Sequence, residues 1–304
     1  EIVIPAGITT ITQSMFREMK NITKVTLPST VTSIENFAFN GCTSLKEIVI
    51  PSSVTKLGRN VFGGCTSLEK IVLPSSITTV DGEKAFENCT SLTDADIACV
   101  SIGKEMFVGC KNLKNVTLRE GLLTIGTSAF AGCTSIEKLE IPASVRNEPY
   151  DDKNAQVRGI ETKAFENCSS IKTLVFAEGG TDGLTIGDNA FSGCSALENV
   201  SFTERLVNAR GKKVDEVPTV LPAIGDNAFA NCFSLASLEN LGLVEGIGDY
   251  AFANTAITTA YMPATLTYLG ASPYMGCKLT SIDLEAGNNK FAVKDGALYD
   301  REFT

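Results

Sequence analysis

The most reactive side chains in this chain of 304 residues are ten cysteines, and histidine is absent. Without histidine the commonest general base, the commonest zinc ligand and the usual partner of a Ser or Cys nucleophile are all missing. No Cys-x-x-Cys occurs, so the metal-ligand spacing of zinc sites is absent too. Nine of the cysteines, Cys42, Cys65, Cys89, Cys110, Cys133, Cys168, Cys194, Cys232 and Cys277, each stand three residues after an aromatic. A column at such regular spacing suits small buried hydrophobes, and Met19 and Thr255 fill the same column in two further copies. The alternative is disulfide pairing between neighbouring copies, if the chain is exported. Cys99 lies outside the column and is the expected reactive thiol.

Other chemical signatures dissolve on comparison with the repeat. Gly246-Ile247-Gly248-Asp249-Tyr250-Ala251 matches a dinucleotide fingerprint, but aligns with Ile186-Gly187 and Ile224-Gly225 in other copies, where it opens a unit and is not a phosphate loop. Asp151-Asp152 and Asp215-Glu216 offer paired carboxylates, which read as solvated loop charge, not acid-base machinery. Arg205, Arg210, Lys212 and Lys213 form a basic cluster offset by Asp215 and Glu216, which reads as rim charge. Asn-x-Ser/Thr sequons at Asn21, Asn88, Asn115, Asn167 and Asn199 follow from a Ser/Thr-rich repeat and predict no glycan. The reading is of a protein that is not an enzyme and takes no cofactor or metal.

What positions these residues is a unit near 23 residues, anchored at Phe16, Phe39, Phe62, Phe86, Phe107, Phe130, Phe165, Phe191, Phe229, Phe252 and Tyr274. From Phe39 the apolar columns continue at Leu45, Ile48, Ile50, Val54 and Leu57, with Pro51 after the second isoleucine. Steps of three, two, four and three fit neither a helix nor a simple strand, so each unit is a closed coil whose sides all face one axis. Lys46-Glu47-Ile48-Val49-Ile50 alternates, is β-branched and is ended by a proline, which predicts a short strand. Stacked copies then build a parallel sheet, and eleven coils at about 4.8 Å each make a rod of roughly 50 Å. The opposite side carries Asp, Asn and Gly signals, as in Asp188-Asn189-Ala190-Phe191-Ser192-Gly193, and predicts turns or short 3-10 or helical pieces.

The recurring Ile-Gly-x-x-Ala-Phe-x-Gly-Cys-x-Ser-Leu-x-x-Ile-x-Ile-Pro-x-x-Val, with Ala129-Phe130, Gly132-Cys133 and Ile141-Pro142 in fixed register, resembles the BspA-like, or Treponema-type, leucine-rich repeats of bacterial surface proteins. The resemblance covers essentially the whole chain. It implies a leucine-rich-repeat solenoid, a right-handed coil with its parallel β-sheet on the concave face and turns on the convex face. It also implies export, adhesion and binding to host or partner proteins. Two copies depart from the pattern: Ile97-Ala98-Cys99 replaces Ile-Pro after Phe86, and Leu238-Glu239-Asn240-Leu241 lacks the proline. Local curvature is expected to change at both.

Residues 1–304 are therefore read as one solenoid of about eleven repeats, opening and closing inside coils. Terminal coils expose apolar faces unless capped, so a piece of a longer exported chain is expected. Extra residues fall at about 146–159 and 203–221, where loops from one edge form a ridge. A net charge of −9, from 26 basic and 35 acidic residues, opposes nucleic-acid binding, and no apolar run is long enough to span a bilayer. Partner candidates are the outward rows of the strands: Lys24, Glu47, Lys70, Asp94 and Lys138 in one, Val49, Val72, Asp96 and Glu140 in the other. Tyr150, Arg205 and Arg210 add the loops. The expected function is a monomeric cell-surface or secreted module that binds a protein or glycan, with a structural stalk presenting another domain as the alternative.

Overall fold

The computed structural model describes all residues except 81–82, 148–158, 178–182, 202–208, 215–216, 222, 240, 242–243 and 302–304. Each coil has three walls. The first is a strand of two to four residues, in which β-branched and apolar side chains alternate between core and solvent: Lys70–Leu73 and Lys138–Ile141 read exposed, buried, exposed, buried. Pairing is parallel and in column register, as in Lys70↔Asp94↔Asn115 and Lys138↔Thr173↔Asn199↔Ser237. The strands fall into four paired runs: Ile2–Val3 to Glu47–Ile48, Lys70–Leu73 to Asn115–Leu118, Lys138–Ile141 to Ser237–Glu239, and Thr259–Met262 with Ser281–Leu284.

The second wall was not anticipated as sheet. Two-residue strands such as Ser33–Ile34, Lys56–Leu57 and Thr124–Ile125 form further parallel ladders. Single bridges then carry the line through Ile125, Ile160, Ile186, Ile224 and Ile247. Two residues are too few to show an alternating pattern, so only their buried member, as at Ile34 and Leu57, marked the position in sequence.

The third wall is a run of tight turns around the aromatic. Among the described residues it contains no helix, so of the two sequence options turns are realised. Alternate N–H groups reach back three residues, as Cys42 N to Phe39 O at 3.1 Å, while the others donate to the next coil, as Phe39 N to Val61 O at 2.9 Å. This needs a left-handed residue two before and two after each aromatic. Phe37 (φ 59°) and Gly41 (φ 72°) fill these positions in one coil, Asn189 and Gly193 in another. Asparagine and glycine tolerate that conformation at little cost; Phe37 does not, and is held there by the ladder.

The core between the walls is one continuous cluster from Ile4 to Phe291. At its centre eleven rings stack, with centroids 5.2 Å apart for Phe16–Phe39 and 5.4 Å for Phe252–Tyr274. The spacing persists across both insertions, at 5.1 Å for Phe130–Phe165 and 5.3 Å for Phe191–Phe229. The stacking axis is therefore the same across both insertions. At the first insertion Asn147 closes the neck: its buried Oδ1 accepts from Gly159 N, Thr185 N and Thr185 Oγ1 at 2.9–3.0 Å. Within the second, Ala209–Val214 pairs antiparallel with Val217–Leu221. Loss of the proline after Phe86 adds a ladder bond, since Ala98 N donates to Leu73 O at 2.9 Å.

Candidate recognition surface

The cysteines form a packing device. All ten are free, and nine are buried, with Cys277 half-buried. Each column thiol donates to the aromatic carbonyl of the preceding coil, from Cys42 to Phe16 O (3.0 Å) through Cys133 to Phe107 O (3.2 Å) to Cys277 to Phe252 O (3.1 Å). The expectation that Cys99 is reactive is overturned. Its side chain is fully buried, its Sγ faces Ser101 O at 3.3 Å, and burial pushes the thiol up to about 12. A thiol kept protonated is a poor nucleophile and a poor ligand. Its place outside the column suggested exposure, but Cys99 stands in register with Leu122 of the next coil, in a second buried column.

Gly248, in the segment that mimics a dinucleotide loop, is there for close approach. A Cβ would stand 2.7 Å from the Asp226 nitrogen and 2.7 Å from the Gly225 carbonyl carbon of the preceding coil. Among the described residues, no group of three or more His, Cys, Asp or Glu side chains is placed to hold a metal ion, and no helix is long and apolar enough to cross a membrane.

The predicted outward rows do lie on one face. Lys24, Glu47, Lys70, Lys138 and Glu140 are exposed, and Asp94 and Asp96 are partly so. Val49 and Val72 expose 67% and 58% of their surface, and Val3, at 66%, lies in the same row on the far side of Thr26. Lys24 and Glu47 sit opposite one another with 3.9 Å between their charges. Asp94 accepts from Thr93 Oγ1 (2.6 Å) and Asn115 Nδ2 (2.9 Å), bonds that hold its carboxyl below the ordinary aspartate range. Asp96 is likewise held low by a two-pronged bond from Arg119, at 2.6 and 2.7 Å. Tyr150 and Arg205 lie outside the described residues. Arg210 lies on the strand Ala209–Val214, away from the strand rows in sequence.

Sequence reading missed a concavity of about 900 Å³ between the Asn115–Leu118 and Lys138–Ile141 strands. The strand ladder stops here: each strand pairs with its outer neighbour but not with the other. Val116 and Leu118, whose counterparts Leu139 and Ile141 are fully buried, are only half-buried. Lys114, Arg119 and Glu137 line the slot together with the expected Lys138 and Glu140. Arg119 stands where Pro51, Pro74 and Pro142 close the strands of other coils, but so does Ala98, whose strand pairs on both sides.

A parallel solenoid whose coils stack strand on strand around an aromatic axis, with a polar strand face, defines a leucine-rich-repeat protein. Profile comparison makes this specific: the description BspA type leucine rich repeat region, in six copies, matches residues 1–99, 82–150, 152–216 and 212–299. The chain belongs to the BspA-type leucine-rich-repeat family. Similar solved structures include a leucine-rich repeat protein from Bacteroides ovatus, with 19% identity over 92% of this chain and 86% of that one, and a TM-score of 0.51. Another is from Eubacterium ventriosum, with 21% identity, 98% and 86% coverage and a TM-score of 0.49. A third is the T. pallidum leucine rich repeat protein, with 25% identity, 64% and 76% coverage and a TM-score of 0.45. No curated protein sequence gives a significant match. At such identities the likeness speaks for the fold alone.

Proposed function

We propose that this chain is a non-catalytic recognition module, displayed on a cell surface or secreted, which binds a protein or glycan through its strand face and the loops at its edge. The observation that carries this is the strand face itself. Its outward rows combine paired charge at Lys24–Glu47 and Asp96–Arg119 with bare valines at Val49 and Val72. Mixed polar and apolar surface of that kind suits a broad macromolecular contact better than an enclosed small-ligand pocket. The family resemblance supports export and adhesion.

The test is a panel of glycans and of surface and secreted proteins presented to the purified chain and to a double variant, Val49→Glu with Val72→Glu. A ligand retained by the wild type and weakened at least tenfold in the variant supports the reading. A panel that yields no ligand, or ligands indifferent to every face substitution, counts against it.

A further inference from the structure

We infer that the slot between Asn115–Leu118 and Lys138–Ile141 is a docking site for an extended peptide segment, taken up by strand pairing. The inference rests on the recognition reading above and narrows the partner to an unstructured stretch of polypeptide.

The direction of the backbone on each side is fixed by bonds to the outer neighbours. Asn115 N donates to Thr93 O and Arg119 N to Ile97 O, both at 2.9 Å. Residues 115, 117 and 119 thus face the preceding coil, and alternation turns the N–H and C=O of Val116 and Leu118 into the slot. Across it, Glu137 O accepts from Lys172 N and Ile141 O from Ala177 N, again at 2.9 Å. Residues 137, 139 and 141 therefore face onward, and Lys138 and Glu140 turn their backbone groups into the slot. Two strand edges thus confront each other without a ladder, in the middle of a sheet.

The coils remain tied on every other side. Phe107 and Phe130 stack at 5.1 Å, Gly121 N donates to Ser144 Oγ at 2.9 Å, and the Glu120 carboxylate accepts from Ala143 N and Ser144 N at 2.9 and 3.1 Å. Lys114 and Glu137 are ion-paired at 3.1 Å beside the slot. The opening is consequently local, with anchored ends, and does not divide the solenoid.

Its chemistry selects peptide. Alternating backbone donors and acceptors are the complement of another main chain, and main-chain bonds supply the affinity in strand addition. Lining charge balances, with Lys114, Arg119 and Lys138 against Glu120, Glu137 and Glu140, which gives no general attraction for a polyanion. No aromatic ring lines the slot, so the usual platform for stacking against a sugar is missing. Each edge is four residues long, matching about four residues of ligand at ~3.3 Å each. A strand bonded to both edges needs two spacings of ~4.8 Å, so the slot widens as the peptide enters.

Amide hydrogen exchange on the free chain comes first. Val116, Leu118, Lys138 and Glu140 should exchange at least ~100-fold faster than Ile71 and Leu73 of the paired strands. Slow exchange at all four overturns the inference. A displayed library of random heptapeptides is then selected on the wild type, and winners are measured against two slot variants. Glu140→Pro removes one slot-facing N–H while leaving the bonds to the next coil. Thr117→Cys with Glu140→Cys closes the strands by a disulfide once oxidised. Selected peptides should protect the four amides, bind Glu140→Pro at least tenfold more weakly, and be lost from the oxidised double variant and regained on reduction. No enriched peptide, or equal binding to wild type and Glu140→Pro, overturns the slot. A folded protein or glycan that binds wild type and both slot variants equally, yet fails on the Val49→Glu, Val72→Glu face, overturns the slot and leaves the broader recognition reading standing.

Discussion

The turn wall and the strand wall of this solenoid are made from the same coils, yet only one of them is continuous. On the turn side every aromatic N–H donates to the next coil, from Phe16 to Ala38 O at 2.8 Å through Phe252 to Pro273 O at 2.8 Å, across both long insertions. On the strand side the ladder is interrupted, and between Leu118 and Lys138 a slot opens. The difference teaches where the molecule keeps its structure. Ring stacking and a backbone bond act together at each turn-side step, joined by a thiol bond at all but the Phe229–Phe252 step, where Thr255 replaces the cysteine, so the rod persists whatever the strands do. The strand wall is left free to vary, and the exposed valines and the slot lie there.

The largest test of the turn wall is alkaline pH. Burial pushes Cys110, Cys168 and Cys232 up to about 12 and raises Cys65, Cys89, Cys133 and Cys194 as well. These thiols stay protonated in the folded state while unfolded thiols ionise near 9. The stabilisation is thus complete below pH 9 and is lost as pH rises from 9 towards 12. At pH 10 each contributes a loss of roughly 1 kcal/mol, so the set together amounts to several. Urea midpoints should fall steeply above pH 9. Cys110→Ala with Cys133→Ala should flatten that slope by the share of two thiols, and an unchanged slope would refute the buried-thiol column.

Next in size is a direct contrast of the walls. Phe130 is fully buried and stacked at 5.1 Å on both sides, so Phe130→Ala should cost about 3–5 kcal/mol. Leu118→Ala, at a half-buried strand position beside the slot, should cost no more than ~2 kcal/mol. Denaturant unfolding decides between them. Equal losses would mean that the strand wall is as tightly built as the turn wall and that the slot is closed in solution.

The two walls were also unequally legible. Stacked rings and column thiols repeat as letters, because each coil must place the same volume at the same point; Phe16 to Tyr274 could be read in register from spacing alone. The left-handed turn positions were half visible: Asn189 and Gly193 announce themselves, whereas Phe37, Lys84 and Tyr250 hold the same conformation with side chains that give no sign of it. Outward strand residues such as Lys24 and Glu47 followed from alternation. The slot did not, since a missing ladder bond has no side-chain signature, and Val116 and Leu118 are the residue types expected in a closed sheet.

The smallest effect bears on the rim of the slot. Arg119 and Asp96 form an exposed two-pronged ion pair spanning adjacent coils. An exposed pair is screened by solvent, so Asp96→Asn should leave the urea midpoint nearly unchanged. The pair's signature is in titration. The Arg119 bond holds the Asp96 carboxyl below the ordinary aspartate range, so its stabilising contribution is present above that range and is lost as pH falls through the depressed value. Carboxyl carbon shifts followed by NMR should place Asp96 below a typical aspartate in the wild type and return it upward in Arg119→Ala. Asp94, held down chiefly by Thr93 and then by Asn115, should stay low in the same variant. If both carboxyls moved together, the coil edge beside the slot would have rearranged, and the fixed rim on which the peptide site depends would be lost with it.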